Sequence, residues 1–293
     1  MPETTTSPDG STIAFERAGD GPVAVIVGGA FNTRSSPAAL VPLLAGRLTV
    51  VTYDRRGRGD STDASAVEQP GGFGLADTTD RRAAIAREVA DLQAVVDAVG
   101  GTAMLYGHSS GAALALEAAA VSHGVRRVAG YEPPYAARKP AAAAGADADG
   151  RADTSRSRED DSEAARPDDA GTRIVAALQA GDRDAAARHF VAGVGLDADW
   201  LASQPWWPGM VAMAQTLPYE FALTDDGPPP TLADVDARVL LLAGGDSPDW
   251  ARAAVREAAR DIPEVVVRTL PGQTHDVKDA VIAPVLLDFF LGA

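Results

Sequence analysis

The stretch TAMLYGHSSGAALALEAAAV, residues 102–121, decides the fold class. Its first five residues form an apolar run of strand length, and residues 110–121 are rich in Ala and Leu, as a helix is. Between them stands Gly107-His108-Ser109-Ser110-Gly111, a G-x-S-x-G pentapeptide. The pattern says little alone, because glycine and serine are common. Wedged between a strand and a helix, it describes a turn so tight that Ser109 takes a strained backbone conformation and a side chain at either glycine would clash. A helix starting at Ser110 aims its first-turn N–H groups and the positive end of its dipole at the Ser109 hydroxyl. A simple Gly/Ser helix cap is the competing reading of the same residues.

Outward from this point the chain alternates strands and helices. Residues 23–27 are unbroken apolar and end in Gly28-Gly29, as suits a strand buried on both faces. Residues 48–53 are a second such run, which opens into Asp54-Arg55-Arg56-Gly57-Arg58-Gly59-Asp60-Ser61. Residues 4–17, turning at Pro8-Asp9-Gly10, read as an opening hairpin. Ile85, Val89, Leu92, Val95, Val96 and Val99 carry a helical period over residues 81–99, which stops at Gly100-Gly101. Strands follow at 125–131, 238–243 and 264–270, and helices at 249–260 and 279–291. The alternation predicts an α/β fold, a mostly parallel central sheet covered by helices.

The alternation is interrupted between 133 and 232. Residues 136–173 contain no Leu, Ile, Val, Met, Phe, Tyr or Trp, too little apolar surface to offset the entropy of ordering, so disorder is expected there. The mixed charges of 156–161 read as plain solvation. Helical pattern returns at 173–178 and 183–191. A segment rich in large apolar side chains follows, with Trp200, Trp206, Trp207, Met210, Met213, Leu217, Tyr219 and Phe221. The expected organisation is a core of residues 1–132 and 233–293 with a helical unit, 133–232, inserted in it.

Composition excludes several classes of function. The 293 residues hold 26 Lys+Arg against 41 Asp+Glu, a formal charge of −15, which argues against nucleic acid or an anionic membrane as partner. No cysteine is present, so disulfides, thiolate nucleophiles and Cys-type zinc sites are absent. No apolar run approaches the about 18 residues that a membrane span needs. The polar first 21 residues carry no charged-then-apolar leader, and a cytoplasmic protein is expected. The four histidines are too dispersed for metal-ligand spacing and no G-x-G-x-x-G unit stands in the chain, so neither metal nor cofactor is expected. Monomer and homodimer both stay open.

With Gly28-Gly29-Ala30 after the third strand, Asp54–Ser61 after the fourth, the Gly107–Gly111 elbow and a late histidine in Pro271-Gly272-Gln273-Thr274-His275-Asp276, the chain resembles the α/β-hydrolase fold superfamily. It is most similar to actinobacterial members that lack the usual His-Gly pair after the third strand. The resemblance implies an α/β-hydrolase fold with an inserted helical lid, and Ser109 as nucleophile. A serine hydroxyl needs a base to take its proton. His275, in a loop at the carboxyl edge of the sheet, is the candidate. His108 is expected to point away as a packing or hydrogen-bonding residue, His123 to end a helix, and His189 to be structural.

Two carboxylates compete to orient His275. Many relatives carry the acid after the seventh strand, where Asp246 stands one position early; others, including haloalkane dehalogenases, carry it after the sixth, where Glu132 stands. The extra methylene of Glu suits a more distant strand end, so Glu132 is favoured. By resemblance the N–H groups of Ala30 and Ser110 form the oxyanion hole. The Gly57/Gly59 loop lacks the lysine of a P-loop and is expected to be structural. Trp206, Trp207, Met210 and Met213 are the candidates to line a pocket for a hydrophobic small molecule, although most such residues would simply pack the lid. The expected activity is hydrolysis of an ester, lactone or thioester through an acyl-enzyme. A lyase, cyclase or cofactor-free haloperoxidase-type activity on a natural-product scaffold, and a ligand-binding protein with a vestigial site, are the alternatives.

Overall fold

Parallel strands cannot be joined by tight turns, so each buried apolar run must be followed by a crossover that returns the chain to the same edge. The computed structural model, which describes residues 1–65, 78–136, 167–224 and 227–292, shows how this is met. A hairpin, β1 (Glu3–Thr6) and β2 (Thr12–Ala18), leads into β3 (Val23–Val27), α1 (Val41–Ala45), β4 (Thr49–Tyr53) and α2 (Thr78–Ala98). Then come β5 (Ala103–His108), α3 (Ser110–Val121) and β6 (Val125–Tyr131). The inserted unit holds α4 (Pro167–Gln179), α5 (Arg183–Gly193), α6 (Ala198–Ala202), α7 (Trp207–Met213) and α8 (Leu217–Thr224). The chain closes with β7 (Arg238–Gly244), α9 (Asp249–Ala259), β8 (Val265–Leu270) and α10 (Asp279–Leu291).

The eight strands lie in the order β1-β2-β4-β3-β5-β6-β7-β8. Only the β1–β2 and β2–β4 pairings are antiparallel. One face of the sheet packs on α2, α3 and α9, through Leu92, Val95, Leu114, Leu116 and Val255. The other packs on α1 and α10 through Leu44, Ile282, Leu286 and Phe290. Register decides what meets at the carboxyl edge. Val27 pairs with Gly107, His108 with Tyr131, and Tyr131 with Leu242, so the loops after β3, β5 and β6 leave the sheet within one residue of one another, and β7 runs two residues further. Among the described residues no helix is long and apolar enough to cross a membrane.

The inserted unit has a small core of its own, built from Ile174, Leu178, Ala186, Ala187, Val191, Leu201, Trp207 and Leu217. Asp182 caps α5 by accepting from the Ala185 N–H at 2.9 Å, and Asp197 caps α6 in the same way. Of the stretch expected to be disordered, 137–166 lies outside the described residues. Its end does not follow the expectation, because 167–173 is the first half of α4. Burial of Ile174 and Leu178 one turn further on anchors that helix, and it propagates backward through residues with no apolar side chain.

The Asp54–Ser61 loop is structural as expected, but in a way its charges conceal. Asp54, Arg55, Arg56 and Arg58 are all buried. Arg56 forms a two-pronged ion pair with Asp91 at 2.7 Å, and further pairs with Asp9 and Asp63. Buried guanidiniums are tolerated when they are paired and hydrogen-bonded. Arg56→Ala strands the Asp91 carboxylate out of water and is expected to destabilise the fold by about 3–5 kcal/mol, read from urea unfolding of parent and variant.

Candidate active site

The tight strand-to-helix turn forces the Ser109 backbone to φ 57° and ψ −129°, a region that residues with a Cβ rarely occupy. The turn survives because its neighbours are glycines. A Cβ on Gly107 would run into the Ala112 backbone, and one on Gly111 into the Val27 and Gly28 carbonyls. The Ser109 N–H donates to the Tyr131 carbonyl at 2.9 Å, which ties the elbow to the end of β6. Ser110 is the first residue of α3, so its N–H has no acceptor within the helix. Gly29 faces the elbow from β3. A Cβ there would stand 3.1 Å from the Ser109 Cβ and 3.0 Å from the His108 carbonyl, so a side chain at this position would crowd the elbow and glycine lets the loop carrying Ala30 come close.

Glu132 follows β6 at φ 46° and is 1 % exposed. Its Oε2 lies 2.8 Å from His275 Nδ1, and its Oε1 accepts the Gly244 N–H at 2.7 Å. Burial by itself would raise this carboxyl, but the hydrogen bonds from His275 and from the Gly244 amide outweigh burial and hold it below the ordinary carboxylate range. An ionised carboxylate on Nδ1 keeps the proton of neutral His275 there and leaves Nε2 as the acceptor. The His275 side chain remains 43 % exposed, open on the side away from Glu132.

His108 points away from the nucleophile and takes part in holding the base. Its Nε2 is 2.8 Å from the His275 carbonyl, and its ring centroid is 4.8 Å from that of His275. The Tyr131 ring stacks on His108 at 5.7 Å, and the Tyr131 hydroxyl donates to the Thr274 carbonyl. Burial pushes the His108 imidazole down to about 4, with the nearby His275 adding to the effect. His108 is therefore neutral at pH 7 and donates from Nε2. His123 is exposed at the end of α3, and His189 is half-buried on α5.

The rest of the sequence-based candidates divide clearly. Asp246 is exposed, and its backbone N–H donates to the Gln273 carbonyl at 2.9 Å. The carboxylate in contact with His275 is Glu132 and not Asp246. The physical reason is the turn after β7, whose Gly244 amide serves Glu132 while Asp246 faces water. Trp207 is buried in the inserted unit's own core, its Nε1–H on Asp184 at 2.7 Å and Arg188 over its ring. Trp206 is 49 % exposed. Met213 is half-buried. Met210, Phe31, Phe190 and Phe221 are partly buried against the inserted unit's core. Phe31, immediately after Ala30, meets Phe190 edge-on at 5.3 Å, and Phe190 meets Phe221 at 6.0 Å. Phe31 and Phe190 were not among the candidates; Phe31 sits at φ 57°, a conformation that its bulky side chain does not announce.

Reasoning on the sequence also missed a buried charge cluster beneath the Gly28-Gly29 loop. Arg55 pairs with Glu88 and Glu220, and Arg58 with Glu220. A signal existed, since Glu220 is the single charge in the apolar run Leu217–Thr224. Among the described residues no group of three or more His, Cys, Asp or Glu is placed to hold a metal.

This geometry can be set beside known proteins. The model of the Alpha/beta hydrolase family matches residues 24–283. The chain belongs to that family. An alpha/beta hydrolase from Sphaerobacter thermophilus DSM 20745 is 40% identical over 98% of this chain and 100% of its own, with a TM-score of 0.77. The esterase RhEst1 from Rhodococcus sp. ECU1013 shares the fold at 18% identity, over 99% of this chain and 98% of its own, with a TM-score of 0.64. A bromoperoxidase from Bacillus anthracis shares it at 21% identity, over 99% and 100%, with a TM-score of 0.66. No curated protein matches the chain.

The buried imidazole makes stability depend on pH. An unfolded histidine titrates near about 6.5, whereas His108 in the fold titrates at about 4. Between those values the unfolded chain binds a proton that the folded chain refuses, so this group's contribution to stability falls as pH drops through that window. His108→Gln is expected to flatten the pH dependence of the unfolding free energy between about pH 6.5 and 4. The depressed Glu132 contributes in the same direction, but only from about pH 4.3 downward. Urea unfolding at several pH values separates the two.

Proposed function

We propose that the protein is a serine hydrolase that cleaves an ester, lactone or thioester of a hydrophobic small molecule through an acyl-enzyme. The observation that carries this reading is the 2.8 Å pairing of His275 Nδ1 with buried Glu132, on the same rim as the strained Ser109 elbow. In the first half-reaction His275 Nε2 takes the Ser109 proton as Oγ bonds to the substrate carbonyl carbon. The imidazolium is stabilised by Glu132 and then protonates the departing alkoxide or thiolate. In the second half-reaction water gives its proton to His275 and its oxygen to the acyl carbon. The proton returns to Ser109 as the acid leaves.

Charge on the carbonyl oxygen is met by the N–H groups of Ser110 and Ala30, each worth about 10²–10³ in rate. The inserted unit acts as a lid in this reading, and Phe31, Phe190, Phe221 and Met210 offer their apolar surface to the acyl or alkyl group. Trp206 and Trp207 contribute less than the sequence suggested, the first facing water and the second filling the unit's own core.

Ser109→Ala is expected to lower turnover of p-nitrophenyl esters by about 10⁴ or more with an unchanged fold. A fluorophosphonate probe should add its mass to the peptide containing Ser109 and to none in the variant. Parental turnover by Ser109→Ala, or a probe adduct elsewhere, overturns the reading. Glu132→Gln is expected to cost about 10³–10⁴ in kcat, by upsetting the His275 tautomer, while Asp246→Asn stays near the parent. The reverse ranking would return the acid's role to Asp246.

A further inference from the structure

Two buried guanidiniums grip the loop that leads to Ala30. Arg58 Nη1 donates to the Gly29 carbonyl at 2.6 Å, and Arg55 Nη1 to the Gly28 carbonyl at 3.2 Å. Arg58 is 1 % exposed and Arg55 2 %. A planar trans peptide carries its C=O and N–H on opposite sides. The cation that fixes the Gly29 carbonyl therefore fixes the direction of the next N–H, that of Ala30, and turns it away from Arg58. Gly29 borders the elbow, since a Cβ on it would stand 3.1 Å from the Ser109 Cβ, so this peptide lies beside the nucleophile.

Arg58 is itself held from the inserted unit. Its Nη2 donates to Glu220 Oε1, and Glu220 Oε2 accepts from Arg55 Nη1 at 3.2 Å. Arg55 is locked on its other side by Glu88, with Nε on Oε1 at 2.8 Å. Glu220 lies on α8, and its buried carboxyl stays below the ordinary range because Arg55 and Arg58 outweigh the effect of burial. A neutral donor, the Asn32 N–H, also serves the Gly29 carbonyl, at the longer distance of 3.3 Å and without the desolvation that a guanidinium costs. A charged donor does more, since a cation on the carbonyl polarises the peptide and strengthens its N–H as a donor.

We infer that Arg58 is a positioning residue that orients and polarises the Gly29–Ala30 peptide so that the Ala30 N–H faces the oxyanion, and that Glu220 of the inserted unit holds Arg58 in place. The oxyanion hole is then assembled only while α8 is docked on the core, which ties the inserted unit to the chemistry as well as to substrate shape. This inference rests on the serine-hydrolase reading above.

The test uses Arg58→Lys, which keeps the charge and loses the fork, and Glu220→Gln, which keeps the shape and loses the charge. Both are compared with the parent on p-nitrophenyl butyrate and on an alkyl trifluoromethyl ketone, which forms a tetrahedral oxyanion on the serine. Expected are a kcat lower by about 10²-fold for Arg58→Lys and about tenfold for Glu220→Gln, with KM within about threefold. Affinity for the ketone should fall by the same factor as kcat/KM, and the pH inflection of kcat/KM should stay where it is in the parent. A merely structural role predicts lower thermal stability without that selective loss of the ketone. If Arg58→Lys does not fold, Glu220→Gln carries the test. A folded variant with parental kcat and ketone affinity overturns the inference while Ser109→Ala remains inactive; an active Ser109→Ala removes the underlying reading instead.

Discussion

A carboxylate almost wholly withdrawn from water must find donors for both oxygens, and the candidate site follows from how Glu132 finds them. One oxygen takes the Gly244 amide at the end of β7 and the other takes His275 from the loop after β8. A single side chain on β6 thus bridges to the next two strands of the sheet. The parallel register makes this possible, because β5 and β6 end level with one another and β7 runs two residues further. His275 is held at a second point through its carbonyl, by a His108 kept neutral by burial, and Thr274 at a third by the Tyr131 hydroxyl. Every group that fixes the imidazole stands at the ends of β5 and β6, beside Ser109 itself.

The core could be read from the sequence because its signals are local. The unbroken apolar run Val23–Val27 is buried on both faces, and the closing helix has the bounds that its pattern predicts. Ser109 and His275 stand out for the same reason, since each lies in a short motif at a strand end. For the carboxylate the sequence favoured Glu132 but left Asp246 open, because the partner of His275 depends on which oxygen reaches a backbone amide on another strand. Glu132 and Asp246 are 114 residues apart in the chain but compete for one imidazole. Only the turn after β7, which sends Asp246 into water, separates them.

Charge was the least readable property. Arg55, Arg56 and Arg58 in a glycine-containing loop look like solvated residues, yet they are the largest fully buried side chains of the described residues. Their carboxylate acceptors come from α2, from the loops after β1 and β4 and from α8, between seven and 165 positions away. No periodicity encodes such pairings, because the partner need only be close in space. The aromatic residues are hard to rank for a related reason. Trp207 carries the larger apolar surface but is buried in the inserted unit's own core, whereas Phe31 is only partly buried against that core and stands at a positive φ.

Three non-glycine residues among those described have positive φ: Phe31, Ser109 and Glu132. Ser109 and Glu132 stand directly beyond β5 and β6, and Phe31 in the loop after β3, at the same rim. Each such conformation costs about 1–3 kcal/mol, which the surrounding sheet must absorb. A protein selected for rigidity alone would carry glycine at all three and would be the more robust molecule for it. That it carries a phenyl ring, a hydroxyl and a carboxylate there marks the rim as the place where endurance has been given up in exchange for reactivity.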